Sequence, residues 1–476
     1  MARVSIRVNA YVPLGPRLKN SFSFAFFAAF CGHSAKLMST HAALPFRLPP
    51  PRDSRVDLLV IAGEHSGDQH AARMVRGLLA SEHGKGLSVC ALGGPELARA
   101  GAQLLHDMTA TSVIGLVEVL KNFSFFHALF NETLRWVGVH KPRAVCLVDY
   151  PGMNLRLAKA MRKRGLSAKG GGPVRMLFYI SPQIWAWKAG RRFAMARDLD
   201  AMAVIFPFEP ACYADTTLNG KVEFAGHPFV AGDYAAPVKY DPDGPLLLLP
   251  GSRKQAVGRI FPLMLAGYRR FCEGGGGGGA GGLGGSGVCL GGTGGTPVLL
   301  DAHGQDARVT QTHGQDAHVT RSGARSAVVL YPSDEVFSVL RGFALPPGIT
   351  LRPTGSPVAA SAALTSSGTM SMHCALAGIP GAVVYRINPV TYLLGRLLVR
   401  VPYIGIANLL LNEPMYPEHI QGTATPGALA AQLRDCLENP ARLAHTEACA
   451  ARLREILRQP ATGTAADWLA RQLGKF

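Results

Sequence analysis

Short apolar runs alternate with amphipathic, helix-like stretches in two separate blocks of the chain, and this alternation restricts the possible folds most strongly. The first block carries runs of strand length at residues 58–61, 87–92, 144–148, 176–180 and 201–205. The second block carries similar runs at residues 246–249, 328–330, 362–364 and 382–384. Buried strands that alternate with helices form parallel sheets covered by helices. We therefore predict an α/β protein with two Rossmann-like lobes that face a cleft.

The two blocks also predict the domain boundaries. Residues 56–235 are expected to form the first lobe, residues 236–445 the second lobe, and residues 446–476 a helical tail. An N-terminal extension at residues 1–55 is expected to be disordered. Its apolar stretch at residues 22–30 follows basic residues, as in a secretory signal, but the following residues make a poor cleavage site. We expect an upstream extension, with Met38 as an alternative start.

A Gly-rich insertion at residues 274–324 interrupts the second lobe. Within it, "AHGQDARVTQ" is followed by the near-repeat "THGQDAHVTR". Such a composition buries too little apolar surface to offset the entropy of the chain. We therefore expect a disordered linker there, in preference to a metal-binding repeat built on its histidines.

Composition narrows the classes of partner. The 476 residues include 49 Lys and Arg against 31 Asp and Glu, a net charge of +18 that favours anionic partners. Nucleic acid is disfavoured, because no nucleic-acid-binding motif is present and much of the excess charge lies in the extension. The nine cysteines show no C-x-x-C spacing, which predicts reduced thiols in a cytosolic setting and no zinc site. No apolar run reaches the roughly 18 residues that a membrane-spanning helix needs.

The turn "AGEHSGDQH" at residues 62–70 joins the first apolar run to a helical stretch. Its glycines allow a tight turn, and ligands of such sheets collect at the carboxyl ends of strands. Ser66 and Asp68 could bind a ligand or could simply cap the helix. Glu64 has no such capping role, so it is the stronger candidate for a site residue.

Two further strand ends in the first lobe carry polar residues. In "CLVDYPGMN" Asp149 follows a buried run, where a carboxylate could accept a proton from a substrate hydroxyl or could form an Asx turn before Pro151. In "YISPQIWAWKAGRR" two tryptophans precede a basic cluster. They could line a sugar-phosphate site or could belong to the core.

The second lobe repeats this arrangement. "LLLLPGSR" ends a strand in Ser252 and Arg253, whose guanidinium matches phosphate oxygens. "LTSSGT" ends another strand just before a predicted helix, whose first N–H groups could bind phosphate.

The stretch "NFSFFHALF" places four phenylalanines on one predicted helix: Phe123, Phe125, Phe126 and Phe130. An exposed patch of this kind could hold acyl chains or contact a membrane surface. Phenylalanine at helical spacing also packs inward, so the core interpretation stays open.

Together these motifs resemble lipid-A-disaccharide synthase, an inverting, metal-independent glycosyltransferase of the GT-B architecture. The resemblance covers about residues 56–440 apart from the insertion. It rests on nine blocks in the same order: "IAGEHSGDQHAARMVRGL", "VIGLVEVL", "VDYPGMNLRLAKAMRKRG", "YISPQIWAWKAGR", "FPFEPACY", "FAGHPFV", "LLPGSRKQAV", "SSGTMSMHCALAGIP" and "YIGIANLLLNEPMYPEHIQG".

The resemblance implies a reaction and a set of roles. UDP-2,3-diacylglucosamine would donate its sugar to 2,3-diacylglucosamine 1-phosphate, with release of UDP and no cofactor, at the cytoplasmic face of the inner membrane of a Gram-negative-type bacterium. Asp149 would be the general base. The acceptor side would be lined by Glu64, Ser66, Asp68, Asn154, Ser181, Gln183 and Trp185. UDP would be held by Ser252, Arg253, Ser367, Gly368, Thr369, His373, Asn408, Glu418 and Gln421.

Three positions depart from the family pattern. Ala256 and His373 stand where the family has Glu, and Ala407 stands where it has Pro. Because a neutral histidine lacks the two acceptors of a carboxylate, nucleotide affinity could be reduced. An inactive lipid- or nucleotide-binding homologue is therefore one alternative.

Another alternative is a different GT-B UDP-sugar enzyme, such as a UDP-N-acetylglucosamine 2-epimerase. Such an enzyme would need neither the Phe-rich helix nor the "VDYPGMN" block. A nicotinamide oxidoreductase is disfavoured, because no G-x-G-x-x-G follows the first strand of either lobe.

Overall fold

Two parallel sheets, one in each lobe, form the framework of the protein. The computed structural model describes residues 46–109, 123–186, 188–232, 234–274, 325–389, 392 and 401–474. In the first lobe, the strands are β1 (Leu58–Ala62), β2 (Val89–Gly93), β3 (Gln103–Asp107), β4 (Ala144–Val148), β5 (Arg175–Tyr179), β6 (Ala201–Val204) and β7 (Val222–Phe224). They form one sheet in the order β3-β2-β1-β4-β5-β6-β7, and every neighbouring pair is parallel.

The sheet of the second lobe has the same topology. The remaining strands are β8 (Val238–Tyr240), β9 (Leu246–Leu249), β10 (Ala327–Tyr331), β11 (Ile349–Pro353), β12 (Val358–Ala360), β13 (Ala362–Thr365), β14 (Gly381–Tyr385) and β15 (Glu418–Ile420). Six of them form a parallel sheet in the order β11-β10-β9-β13-β14-β15, while β8 and β12 pair separately. In both lobes the strand order reverses beside the first strand, which is where Rossmann-like sheets bind ligands. The predicted α/β class with two Rossmann-like lobes is confirmed.

Helices connect the strands and cover both sheets. Those of the first lobe are α1 (His65–Ala80), α2 (Pro95–Arg99), α3 (Phe123–His140), α4 (Pro151–Lys163) and α5 (Arg191–Asp198). Those that follow are α6 (Lys254–Glu273), α7 (Asp334–Arg341), α8 (Thr369–Leu376), α9 (Ile406–Leu411), α10 (Pro426–Glu438), α11 (Pro440–Leu457) and α12 (Ala465–Leu473).

The run of four leucines in β9 shows why these strands are apolar on both sides. Leu247 and Leu249 belong to one buried cluster, and Leu246 and Leu248 belong to another. Since successive side chains of a strand point to opposite faces, the sheet has a core on each face. Such a central strand has no polar face, which is why it reads as a continuous apolar run.

The strands that the apolar runs do not predict are short or lie at sheet edges. The edge strands β3 and β11 are largely half-buried or exposed, and β7 and β15 have only three residues each. An edge strand is covered less completely than a central one, so its sequence can be more polar. The predicted apolar runs all correspond to strands of the two large sheets.

The chain crosses between the lobes twice, because its last helix returns to the first lobe. Trp468 of α12 is fully buried in the cluster that contains β1 and α1. Arg143 and Arg175 donate hydrogen bonds to the carbonyls of Leu473 (2.7 Å) and Gln472 (2.6 Å). The end of the predicted helical tail therefore completes the core of the amino-terminal lobe.

Leu48, which lies inside the expected extension, belongs to the same compact unit as both lobes. Leu48 is buried, and its N–H donates to Glu132 Oε1 at 3.0 Å. The indole of Trp136 donates to the carbonyl of Pro49 at 2.9 Å. The extension up to residue 45, the insertion from residue 275 to 324, Trp187 and the side chain of Phe123 lie outside the described residues.

Candidate active site

The ends of β1 and β4 bring two of the predicted site residues together. These strands are neighbours, with Ala62 opposite Val148, so Glu64 and Asp149 follow them at the same sheet edge. Gly63 lies directly beneath the ring of Tyr150, and a Cβ on this residue would overlap that ring. Only glycine lets the turn after β1 approach the turn after β4 so closely.

The backbone after β4 adopts a rare conformation at the predicted base. Asp149 and Tyr150 have φ values of +47° and +46°, in the left-handed region that non-glycine residues seldom occupy. Asn154 supports this turn from the first helical turns of α4, because its side-chain amide donates to the carbonyls of Asp149 (2.8 Å) and Val148 (3.3 Å). Asn154 itself is fully buried. It therefore positions Asp149 from below and does not line the cleft.

The environment of Asp149 changes its acidity. Burial raises the pKa of Asp149 to about 6, and the nearby Glu64 carboxylate adds to the rise. The backbone N–H of Tyr150 and the guanidinium of Arg253 lower the pKa and oppose these effects. A carboxylate whose pKa lies this near neutrality is well suited to accept a proton.

One ion pair joins the two lobes across the cleft. Arg253 Nη2 lies 3.1 Å from Glu64 Oε1, although the two residues are 189 positions apart. Their side chains are 73% and 38% exposed, so this pair contributes no more than about 1 kcal/mol to stability. A weak, exposed pair can be displaced readily by a ligand that binds Arg253 better.

The second lobe presents two helix N-termini beside each other at its strand-order reversal. The loop after β9 leads through Ser252 and Arg253 into α6, and the loop after β13 leads through Gly368 into α8. The two loops are joined by a hydrogen bond from the N–H of Ser366 to the carbonyl of Leu249 at 2.8 Å. Gly251, with φ +119°, provides the turn that a side chain would strain.

The predicted nucleotide residues on these loops are accessible. Ser252, Arg253, Gly368 and Thr369 are exposed, and Ser367 is half-buried. The N-terminal N–H groups of a helix, together with its dipole, favour an anion at this position. Two helix N-termini and the exposed guanidinium of Arg253 thus lie on the second-lobe side of the cleft.

Asp68 has a different role from the one expected at the acceptor side. Its carboxylate is buried and accepts the backbone N–H groups of Gly94 (2.8 Å), Glu96 (3.0 Å) and Leu97 (3.2 Å). It therefore fixes the start of α2 and does not face the cleft. Neither Ser66 nor Asp68 caps α1, whose N-cap is Glu64 without a side-chain cap bond. Ser66 is half-buried in the first turn.

The residues after β5 form a packed wall. Ser181 is buried and shares a 2.7 Å hydrogen bond with the hydroxyl of Tyr213. Trp185 is half-buried and makes edge contacts with Phe206 (5.8 Å) and Phe208 (5.3 Å). Gln183, which lies between Ser181 and Trp185 in the sequence, is half-buried. The hydroxyl of Ser181 is thus engaged inside the protein and is not available to a ligand.

Glu209 in "FPFEP" is a buried acid that the sequence did not single out. Its carboxylate accepts the N–H of Phe206 at 3.1 Å and closes a turn. Burial raises the pKa of Glu209 to about 8, while the backbone N–H group of Phe206 opposes the rise. Such an environment is recognisable only once the fold is known, because the motif alone reads as a turn.

His373 is largely buried in an aromatic cluster and, with Phe229 and Tyr234, lines a cavity of about 350 Å³. Its ring lies 4.0 Å from that of Phe229, and its Nδ1 is 2.9 Å from the hydroxyl of Tyr234. Burial, with a contribution from His70, lowers the pKa of His373 to about 4, so its imidazole is neutral at pH 7. Its contact with the nucleotide stays a prediction.

Asn408 and Glu418 form an internal network. Asn408 is buried and exchanges hydrogen bonds with the backbone of Tyr416 at 2.7 and 2.9 Å. Glu418 accepts the N–H groups of Ile404 and Gly405 and the amide of Asn408. These two residues therefore shape the loop before α9, and their contact with the nucleotide stays a prediction.

Gln421 lines a cavity of about 460 Å³ at the carboxyl edge of the second sheet. Its amide donates to the carbonyl of Ile387 at 2.9 Å. Arg259 and Arg386 also line this cavity, with Tyr392 on its wall. Its basic lining suits an anionic or polar ligand.

Comparison with known proteins identifies the family. The sequence profile of lipid-A-disaccharide synthetases matches residues 58–268 and 354–472 of this chain. The chain belongs to the lipid-A-disaccharide synthase family. A lipid-A-disaccharide synthase of Geobacter sulfurreducens is 32% identical over 409 residues, which cover 84% of this chain and 92% of the relative. That of Syntrophus aciditrophicus is 30% identical over 430 residues, which cover 88% and 98%.

A solved structure supports the fold independently. A protein of Listeria monocytogenes, described as a UDP-N-acetylglucosamine 2-epimerase, matches with a TM-score of 0.50 and 10% identity, covering 86% of this chain and 99% of that chain. At this identity the likeness shows the fold alone. Membership of the lipid-A-disaccharide synthase family makes the protein a glycosyltransferase of lipid A biosynthesis, and the epimerase alternative is not better supported.

The lipid-A-disaccharide synthase fold leaves the Phe-rich helix partly covered. Phe125, Phe126 and Phe130 of α3 are half-buried, and Phe125 packs against Phe126 at 5.8 Å between ring centroids. In the part of the chain that the structure describes, no helix is long and apolar enough to span a bilayer.

Proposed function

We propose that the protein transfers 2,3-diacylglucosamine from its UDP derivative to the 6-hydroxyl of 2,3-diacylglucosamine 1-phosphate. The products are UDP and a β-1,6-linked disaccharide. Family membership supports a nucleotide-sugar donor and a sugar-phosphate acceptor. The acyl groups and the linkage belong to the proposal, which takes them from the family resemblance.

Asp149 is the general base of this proposal. Its carboxylate accepts the proton of the acceptor hydroxyl as that oxygen attacks the anomeric carbon of the donor. The bond to UDP breaks in the same in-line displacement, so the configuration inverts. The observation that carries this role is the position of Asp149, near Glu64 on the first lobe and within the electrostatic reach of Arg253 on the second.

The second lobe stabilises the leaving group. Negative charge develops on the diphosphate as the glycosidic bond breaks, and preorganised donors aimed at that charge lower the barrier. Arg253 and the N-terminal N–H groups of α6 and α8 are the donors that we assign to it. This assignment needs the diphosphate to replace Glu64 as the partner of Arg253.

The apolar acyl chains need a surface next to the acceptor, and we assign the half-buried phenylalanines of α3 to that surface. We assign to the same surface a peripheral contact with the cytoplasmic face of the inner membrane. Co-sedimentation with anionic vesicles tests this assignment, with Phe126→Ser/Phe130→Ser as the variant. If this variant binds the vesicles as well as the unchanged protein does, the phenylalanines of α3 do not form the membrane surface.

The decisive experiment measures UDP release from the diacylated donor and acceptor by Asp149→Asn. Loss of a general base slows turnover by at least about a hundredfold. The variant keeps its affinity for UDP, because Asp149 does not bind the nucleotide. Asp243→Asn, an exposed aspartate in a turn, serves as the matched control with unchanged turnover. Full turnover by Asp149→Asn would eliminate the proposed base.

A further inference from the structure

Three potential metal ligands meet in the second lobe where α11 packs against the end of α9. His445 and Cys449 are one turn apart on α11, and Glu413 lies just after α9. Cys449 Sγ is 3.0 Å from Glu413 Oε1 and 3.6 Å from His445 Nε2. One ligand atom from each residue lies within 4.8 Å of the others.

The sulfur–nitrogen separation is close to that between two ligands of one tetrahedral zinc ion. With a Zn–S bond of about 2.3 Å and a Zn–N bond of about 2.0–2.1 Å, a tetrahedral angle separates sulfur and nitrogen by roughly 3.5 Å. The thiol and the imidazole are already at this spacing. The carboxylate oxygen needs to move outward by only about half an ångström to reach a comparable distance.

We propose that Glu413, His445 and Cys449 bind one zinc-class divalent cation, with solvent water as the fourth ligand. The chemistry of the donor set, a thiol, an imidazole and a carboxylate, is what such ions prefer. The site is separate from glycosyl transfer and goes beyond the proposed function.

The surroundings allow an ion to enter. His445 is exposed and Glu413 is half-buried, while Cys449 forms the buried base of the site. The thiol of Cys449 donates its proton to Glu413 in the metal-free protein. Binding replaces that proton by the metal and releases it to solvent, so that the thiolate forms the new bond.

Arg452 competes with the metal. Its Nη1 lies 2.6 Å from the same oxygen of Glu413 that faces Cys449. The side chain of Arg452 is 50% exposed, so it can turn away into solvent when the ion arrives. Once bound, the ion connects α11 with the segment that follows α9, across 36 positions of the sequence.

Sequence spacing did not predict this site, because the expected absence of zinc rested on the lack of C-x-x-C pairs. The pair His445 and Cys449 has the i, i+4 spacing that places two side chains on one helix face. Such spacing is common in helices without a metal. In the folded protein Glu413 lies beside this pair, and this third ligand distinguishes it from i, i+4 pairs that bind no metal.

The test titrates the full-length, metal-free protein with Co²⁺, whose thiolate charge-transfer absorption reports a cysteine ligand. One equivalent is expected to produce this absorption, and Zn²⁺ is expected to abolish it by displacement. Cys449→Ser removes the absorption, and His445→Ala weakens Co²⁺ binding by at least about tenfold. Because the chain holds other thiols, Cys436→Ser, a buried cysteine of α10, is the matched control and keeps the absorption.

Two further measurements sharpen the result. Zn²⁺ raises the Tm of the unchanged protein, since a ligand that binds only the folded state stabilises it, and does not raise that of His445→Ala. Arg452→Gln binds Co²⁺ at least as tightly as the unchanged protein. The proposal is overturned by absence of the cobalt–thiolate absorption, by its persistence in Cys449→Ser, or by weaker binding in Arg452→Gln. Glycosyl transfer by the metal-free protein is measured separately and does not depend on this outcome.

Discussion

Arg253 of the second lobe lies 3.1 Å from Glu64 of the first lobe. This contact joins the two lobes near Asp149, whose pKa both residues influence. Without substrate, the carboxylate of Glu64 occupies one side of the guanidinium that we assign to the diphosphate. A diphosphate offers more oxygens in bidentate geometry than one exposed carboxylate does. Under the proposed function, donor binding exchanges partners at Arg253 and releases Glu64 toward the acceptor.

Arg253→Ala tests the donor side of this exchange. Loss of a charged hydrogen-bonding partner is expected to weaken UDP binding roughly 10- to 100-fold. The free energy of unfolding changes by less than about 1 kcal/mol, because the ion pair with Glu64 is exposed. Calorimetric titration with UDP and urea unfolding measure the two quantities, with the exposed Arg352→Ala as a control. A large loss of stability with intact UDP binding would show that Arg253 stabilises the folded protein and does not bind the nucleotide.

Glu64→Gln tests the electrostatic coupling to the base. Turnover of the unchanged enzyme is expected to rise with pH through about 6, because Asp149 must lose its proton to act as a base. The negative charge of Glu64 raises the pKa of Asp149, so its removal shifts this rise to lower pH. The pH dependence of kcat/KM, which reports the titrating groups of the free enzyme, measures the shift. Glu96→Gln on α2 keeps the original profile, and a shift to higher pH in Glu64→Gln would contradict the coupling.

Gly63→Ala tests the close approach of the two turns. The new methyl group overlaps the ring of Tyr150, which must move and take Asp149 with it. Turnover is expected to fall at least about tenfold, since small displacements of a catalytic group are costly. Gly258→Ala is the control, because a Cβ there meets no atom within 4 Å. Equal turnover in both variants would show that the turn tolerates the displacement.

Asp68→Ala tests the structural role of this residue at the start of α2. The substitution leaves three backbone N–H groups at the start of α2 without their acceptor. Leaving buried donors unpaired is expected to lower the free energy of unfolding by about 1–3 kcal/mol. Urea unfolding measures this loss, and UDP affinity stays the same. Unchanged stability together with a raised KM for the acceptor would show that Asp68 binds the acceptor and does not stabilise α2.

The sequence predicts those parts of the molecule that depend on local pattern. Central strands are apolar on both faces, and the residues directly after β1, β4, β9 and β13 meet at the cleft because parallel strands end at one edge. Glu64, Asp149 and Arg253 follow this rule. Their electrostatic contact across the lobes, in contrast, depends on how two separately folded sheets face each other.

Residues with distant partners could not be assigned in the same way. Asp68 binds N–H groups about 26 positions further along the chain, and Ser181 binds Tyr213 from another element. The sequence around these residues does not show whether the polar group binds a ligand or makes its hydrogen bonds inside the protein. Asn408 and Glu418 likewise lie in a motif of the family and are engaged by the loop that they shape.

The last helix, with its buried Trp468, affects how the protein is made. The strands of the first lobe leave the ribosome long before α12, a helix of 9 residues, is synthesised. Until then an apolar surface beside α1 has no permanent cover, so maturation of the amino-terminal half waits for the end of translation. The amino-terminal half is therefore not a self-sufficient unit, and a premature stop near residue 460 would damage the lobe encoded farthest from it.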